Sequence, residues 1–123
     1  MTGEQIYQTA VRALDDKKAE DIQVMKIGDL TIVADYFVIA TGTSTTHIKA
    51  LADNVEYELG LQGVQPGHIE GRATGWILLD YGSVVIHVFL EDTRGYYNLE
   101  RLWTDAAPVD LTALISSSKE NVQ

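Results

Sequence analysis

DYFVIATGTSTTHIKALADNVEYELG, residues 35–60, is the stretch on which the fold turns. Tyr36 to Ala40 make a near-continuous apolar run that reaches Gly42 and then a cluster of Ser and Thr. Such a run suits a strand buried on both faces. Behind the cluster Ile48, Leu51, Ala52, Val55 and Leu59 recur at intervals of three and four, which is the apolar stripe of a helix. Gly60 followed by Leu61 predicts the helix stop, a left-handed glycine with an apolar contact after it. A strand feeding a helix favours at least one parallel strand pair, because the helix carries the chain back across the sheet.

Working outward, residues 2 to 18 read as an amphipathic helix with Thr2 and Gln5 spaced as a capping box and Ile6, Ala10, Val11 and Leu14 along one side. From Asp21 the period changes to two, giving a first strand that ends at Gly28-Asp29. Past Pro66-Gly67 a short strand is expected around His68 to Glu70. GWILLDYGSVVIHVF then reads as a hairpin turning at Tyr81-Gly82-Ser83. Asn98 is placed to cap a helix carrying Leu99, Leu102, Trp103 and Ala106, and Pro108 stops it. DLTALI follows as one further turn or two, and SSSKENVQ as a frayed tail. The order α-β-β-α-β-β-β-α describes an α/β (α+β) domain with a mixed sheet of about five strands and helices packed on it. One domain over residues 1–110 and a C-terminal extension over 111–123 are expected.

With 123 residues, 46% of them hydrophobic, the chain is long enough for one real core. No apolar run approaches the ~18 residues of a membrane span. Nine Lys and Arg against eighteen Asp and Glu give a net charge of -9, which disfavours a surface that tracks phosphates and suits a basic partner or a small ligand. Without cysteine there are neither disulfides nor thiolate metal sites. The N-terminal stretch mixes acids and bases with no apolar core segment, so no signal peptide is expected and the address is cytoplasmic.

Side chains alternate along the hairpin, which separates two faces. Ile77, Leu79, Tyr81, Val84, Ile86, Val88 and Leu90 are apolar throughout and form the natural core face. Trp76, Leu78 and Asp80 with Val85, His87 and Phe89 form the other, a mixture typical of recognition patches. Two readings stay open for it: a partner docks there, or the final helix covers it and His87 is a hydrogen-bonded interior residue. RGYYNLERLW supplies a second patch, although Leu99, Leu102 and Trp103 share helical spacing and fit a core equally well, leaving Tyr97 and Glu100 freer.

Gly42-Thr43-Ser44-Thr45 has the look of a phosphate-cradling turn, but the GxxxxGK[ST] pattern is absent and Ser or Thr before a helix is ordinarily a cap. Asp80 has Leu78 and Gly82 at its flanking same-face positions, so paired acids for two magnesium ions are missing. His47, His68 and His87 lack metal-ligand spacing, and there is no G-x-S-x-G elbow. The expectation is therefore no catalytic residue, no metal and no cofactor. The competing class is a nucleotide-binding or nucleotidyltransferase enzyme, which would bind nucleotide with magnesium.

DYFVIATGTSTTHIKALADNVEYEL, EGRATGWILLDYGSVVIHVF and RGYYNLERLWTDA together resemble the ribosomal silencing factor family, RsfS, also called Iojap, over about Asp21 to Ala107. The resemblance implies a small domain shaped like nucleotidyltransferases but lacking their catalytic acids. It further implies binding to the large ribosomal subunit through a basic protein, universal large-subunit ribosomal protein fourteen. Bound there, such a protein obstructs subunit joining and lowers translation in a starvation or stringent response. Carried onto matching positions, the resemblance puts Trp76, Leu78, Asp80, His87, Tyr97, Leu99, Glu100 and Trp103 in or near the partner-facing region. Ser83 departs from the pattern, where members often carry an acid. No membrane and no sequence-specific nucleic acid is implied, and exposed apolar residues on the hairpin would also suit a homodimer.

Overall fold

A capping box opens the chain, as the sequence predicts. Thr2 Oγ1 accepts from the Gln5 N–H at 3.1 Å and the Gln5 side-chain oxygen accepts from the Thr2 N–H at 2.9 Å. Helix α1 (Gly3–Asp16) then buries Ile6, Tyr7, Ala10, Val11 and Leu14. The computed structural model describes residues 1–28, 34–71, 75–98 and 107–115.

Strands β1 (Glu20–Lys26) and β2 (Tyr36–Gly42) pair antiparallel, with a register break between Glu20 and Gln23 where Asp21 takes φ 48°. Ser44 caps helix α2 (Thr45–Leu61), accepting from the His47 N–H at 3.0 Å. The helix outruns the expected stop at Gly60. Gly63 is the left-handed residue, at φ 80°, and Val64 N–H bonds back to Leu59 O while Gly63 N–H bonds to Gly60 O. Both Gly60 and Gly63 offered conformational freedom. Packing chose between them, because Val64 reaches the core from the later stop.

Strands β3 (His68–Glu70), β4 (Trp76–Asp80) and β5 (Val84–Leu90) form where expected, and the hairpin turns at Gly82 with Asp80 Oδ1 accepting its N–H at 2.8 Å. Next comes helix α3 (Glu91–Tyr97), a helix not expected from the sequence. Asn98 terminates it in the left-handed region, φ 48° and ψ 59°, a conformation asparagine tolerates. The helix expected after Asn98 lies outside the described residues. Ala107–Pro108 is an edge strand, β6, paired with Lys26 and Met25. It supplies a sixth strand where about five were expected, and an edge is where proline is tolerated.

The six strands run β3-β4-β5-β2-β1-β6, with the parallel pair β2–β5 at the centre. Helices α1 and α2 share one side of this sheet and enclose the main core, which includes Val24, Val38, Ala40, Ile77, Leu79, Ile86 and Val88. Leu111, Leu114 and Ile115 also pack against it, from a single turn in which the Leu114 and Ile115 N–H groups bond to Leu111 O. The opposite side carries a smaller cluster of Met25, Ile27, Ala34, Ile39, Val85 and Phe89.

Candidate functional site

Alternation along β4 and β5 separates the faces as the sequence predicts. Ile77, Leu79, Val84, Ile86 and Val88 join the main core, whereas Trp76, Leu78, Val85 and Phe89 join the smaller cluster. Across the ladder Trp76 stands opposite Phe89, Leu78 opposite His87 and Asp80 opposite Val85. The parallel neighbour β2 sets Phe37 beside Val85 and Ile39 beside His87. The edge strand β3 adds His68 opposite Asp80 and Glu70 opposite Leu78, and those two side chains pair with each other.

An aromatic group follows from this register. The Trp76 and Phe89 rings stack with centroids 5.0 Å apart, and Phe37 meets His87 edge-on at 4.7 Å. His87 is only 4% exposed, so of its two readings the structure takes the interior one. Burial lowers its pKa to about 4, which keeps the ring neutral at ordinary pH. The Trp76 indole N–H, which can only donate, bonds to His87 Nδ1 at 3.1 Å. Nδ1 must therefore be the acceptor, and the imidazole proton sits on Nε2, which is buried with no hydrogen-bond partner among the described residues.

Trp76, Leu78 and Asp80 stay half-buried, so each presents part of its side chain outward. Asp80 also holds the hairpin turn. The result is an apolar strip, Trp76 and Leu78 with half-buried Phe37, edged by the carboxylates of Asp80 and Glu70 on the side of the sheet away from α1 and α2. Phe37 and Glu70 are not legible from sequence spacing. Phe37 lies in a run apolar on both faces, where alternation separates nothing, and three residues of β3 are too few to display a period.

Tyr97 closes α3, and its exposed neighbour Tyr96 is 83% accessible. Leu99, Glu100 and Trp103 lie outside the described residues. Helix α3 is fixed by Arg94, a charged residue whose burial no local spacing predicts. Its guanidinium is 7% exposed and donates to the Asp21 carbonyl at 2.7 Å and to Thr41 Oγ1 at 2.8 Å.

The Gly42 turn is built for packing. A Cβ on Gly42 would stand 2.6 Å from Ile48 Cγ2, so only glycine lets β2 run this close to α2. His47 Nδ1 accepts the Thr43 N–H at 2.9 Å, and its Nε2 contacts the Lys17 carbonyl at 2.7 Å. Two N–H groups that a phosphate would want, those of Thr43 and His47, are thereby already satisfied. Among the described residues no group of three His, Asp or Glu is arranged to hold a metal, and no helix is long and apolar enough to cross a membrane.

The family model described as "Ribosomal silencing factor during starvation" matches residues 1–123. A ribosomal silencing factor RsfS from Halalkalibacterium halodurans is 40% identical over 117 residues, covering 94% of this chain and all of that one. A crystal structure of a Chromobacterium violaceum protein superposes with a TM-score of 0.82 at 38% identity, covering 85% of this chain and 88% of that chain. A mouse protein named for mitochondrial assembly of the ribosomal large subunit is 39% identical over 98 residues, which are 76% of this chain and 43% of that protein.

Proposed function

Because this chain belongs to the ribosomal silencing factor family, RsfS, we propose that it docks on the large ribosomal subunit and keeps the small subunit away. The docking partner in this reading is universal large-subunit ribosomal protein fourteen, a basic protein. No bond is made or broken. An acidic domain occupies space that the other subunit needs, and it does so when nutrients are short, in the cytoplasm where ribosomes work.

One observation supports this reading above the others: the half-exposed Trp76–Leu78 strip edged by Asp80 and Glu70. Large apolar groups that become desolvated at the centre of a contact hold it together, while carboxylates at the rim attract a cationic partner and speed encounter. The mouse relative's name points to the same subunit. Tyr97, Leu99, Glu100 and Trp103 extend the contact in this reading, and His87 contributes from beneath.

The test is a density gradient with purified subunits. Added protein is expected to comigrate with free large subunits and to lower the yield of joined ribosomes, and Trp76→Ala should weaken binding by about 2 kcal/mol. Subunit joining that is unaffected by a saturating amount of folded protein overturns the proposal. Magnesium-dependent nucleotide binding in a calorimeter would favour an enzyme instead. A second copy of this chain would compete for the same strip, so the protein's own sedimentation is measured alongside.

A further inference from the structure

We infer that His87 is the positioning residue of the docking face: its Nδ1 lone pair locks the Trp76 indole in the orientation that meets the partner. This rests on the docking reading above for its consequence, though not for the lock itself.

His87 is too deeply buried to touch a partner, being 4% exposed, yet it holds by hydrogen bond the residue best placed to do so. Three contacts converge there. The indole N–H bonds to Nδ1 at 3.1 Å, the indole stacks on Phe89 at 5.0 Å, and Phe37 closes on the imidazole edge-on at 4.7 Å. Stacking fixes the plane of a ring but leaves its direction in that plane poorly determined. A hydrogen bond to a buried acceptor determines it. The arrangement also has a cost, since the proton forced onto Nε2 has no partner among the described residues, and a protein that wanted only a filled core would place an apolar ring there.

The gain falls on binding. A large side chain held before encounter does not have to be ordered during it. With the indole N–H already bonded inside, the partner meets Trp76 through its ring and need supply no acceptor for that N–H. Apolar surface or a cation over the ring fits this chemistry.

Four substitutions and two kinds of readout test the inference. In the unmodified protein, imidazole nitrogen shifts in NMR should give a neutral ring protonated at Nε2, and the Trp76 indole N–H should exchange slowly with solvent. Protonation at Nδ1 instead overturns the lock outright and requires no variant. His87→Asn retains an acceptor at the position of Nδ1, whereas His87→Phe retains the ring and removes the acceptor. The Phe variant should lose indole protection and bind large subunits about tenfold more weakly; the Asn variant should keep both within about threefold. That contrast separates positioning from packing, because Phe fills the site better than Asn does.

In a Trp76→Phe background, which has no N–H to hold, His87→Phe should cost no further affinity. An additive loss there overturns the inference, as does an Asn variant no better than the Phe variant. Should indole protection follow the lock while every variant, Trp76→Phe and Trp76→Ala included, binds large subunits like the unmodified protein, the lock stands and the docking reading falls.

Discussion

Arg94→Met removes a charged group that is buried where three elements meet. The guanidinium reaches from α3 to β1 and β2, donating at 2.7 Å to the carbonyl that Asp21 presents from its left-handed φ of 48° and at 2.8 Å to Thr41 Oγ1, with the Asp21 carboxylate 3.4 Å away. The carboxylate is well exposed and can be rehydrated, so losing its partner costs little. The expense lies with buried Thr41 and the Asp21 carbonyl, each left short of a donor from a charged group. At about 1.5 kcal/mol each, near the lower end for such bonds, the total is about 3 kcal/mol. For a domain of this size that corresponds to a melting temperature lower by about 11 °C. Urea unfolding followed by circular dichroism measures it directly. Arg94→Lys should recover less than half, because one ammonium on a flexible stem does not serve both acceptors as a planar fork does. A Met variant within about 0.5 kcal/mol of the unmodified protein would refute the clasp as a stabilising feature.

Lowering the pH tests the burial of His87. Its pKa of about 4 in the folded state lies below the value near 6.5 expected once unfolded, so the folded state binds fewer protons between the two. The associated stability, about 3 kcal/mol, is complete above pH 6.5 and is lost as the pH falls to 4. His87→Asn should remove that component of the pH dependence, and urea midpoints that fall equally in both proteins would show that His87 is not its source. Gly42→Ala should destabilise by about 2 kcal/mol, since the new methyl would lie 2.6 Å from Ile48 Cγ2 and neither Ile48 nor Leu51 has room to withdraw; an unchanged thermal midpoint contradicts that steric account. Glu100→Lys is expected to slow association with the large subunit most at low salt, and a rate independent of ionic strength would argue against steering by this residue.

Much of the architecture was legible because periodicity carries it. The stripe from Ile48 to Leu59 and the alternation through β4 and β5 each have a spacing that only one kind of element satisfies, and the apolar run at Tyr36 reads as a strand because it is short and gives way to Gly42 and a Ser/Thr cluster. Alternation also put Trp76, Leu78 and Asp80 on one face before any contact was known. The family resemblance rested on those same blocks. Less was legible where elements are short. Seven residues of α3 and two of β6 offer no period, and Asn98 can begin a helix or end one with equal ease.

The sequence by itself determined the type and order of the long elements and which face of the hairpin is greasy, because those depend on neighbours a few residues apart. Only the tertiary structure decided which of two glycines ends α2, that Arg94 lies inside, and that His87 is buried with its Nδ1 on the Trp76 indole N–H. Each of these depends on groups brought together from distant parts of the chain: Val64 on the core, Asp21 and Thr41 on Arg94, Trp76 and Phe37 on His87. A hydrogen bond between residues 53 positions apart leaves no trace in local spacing, and its energy is realised only when the sheet has formed.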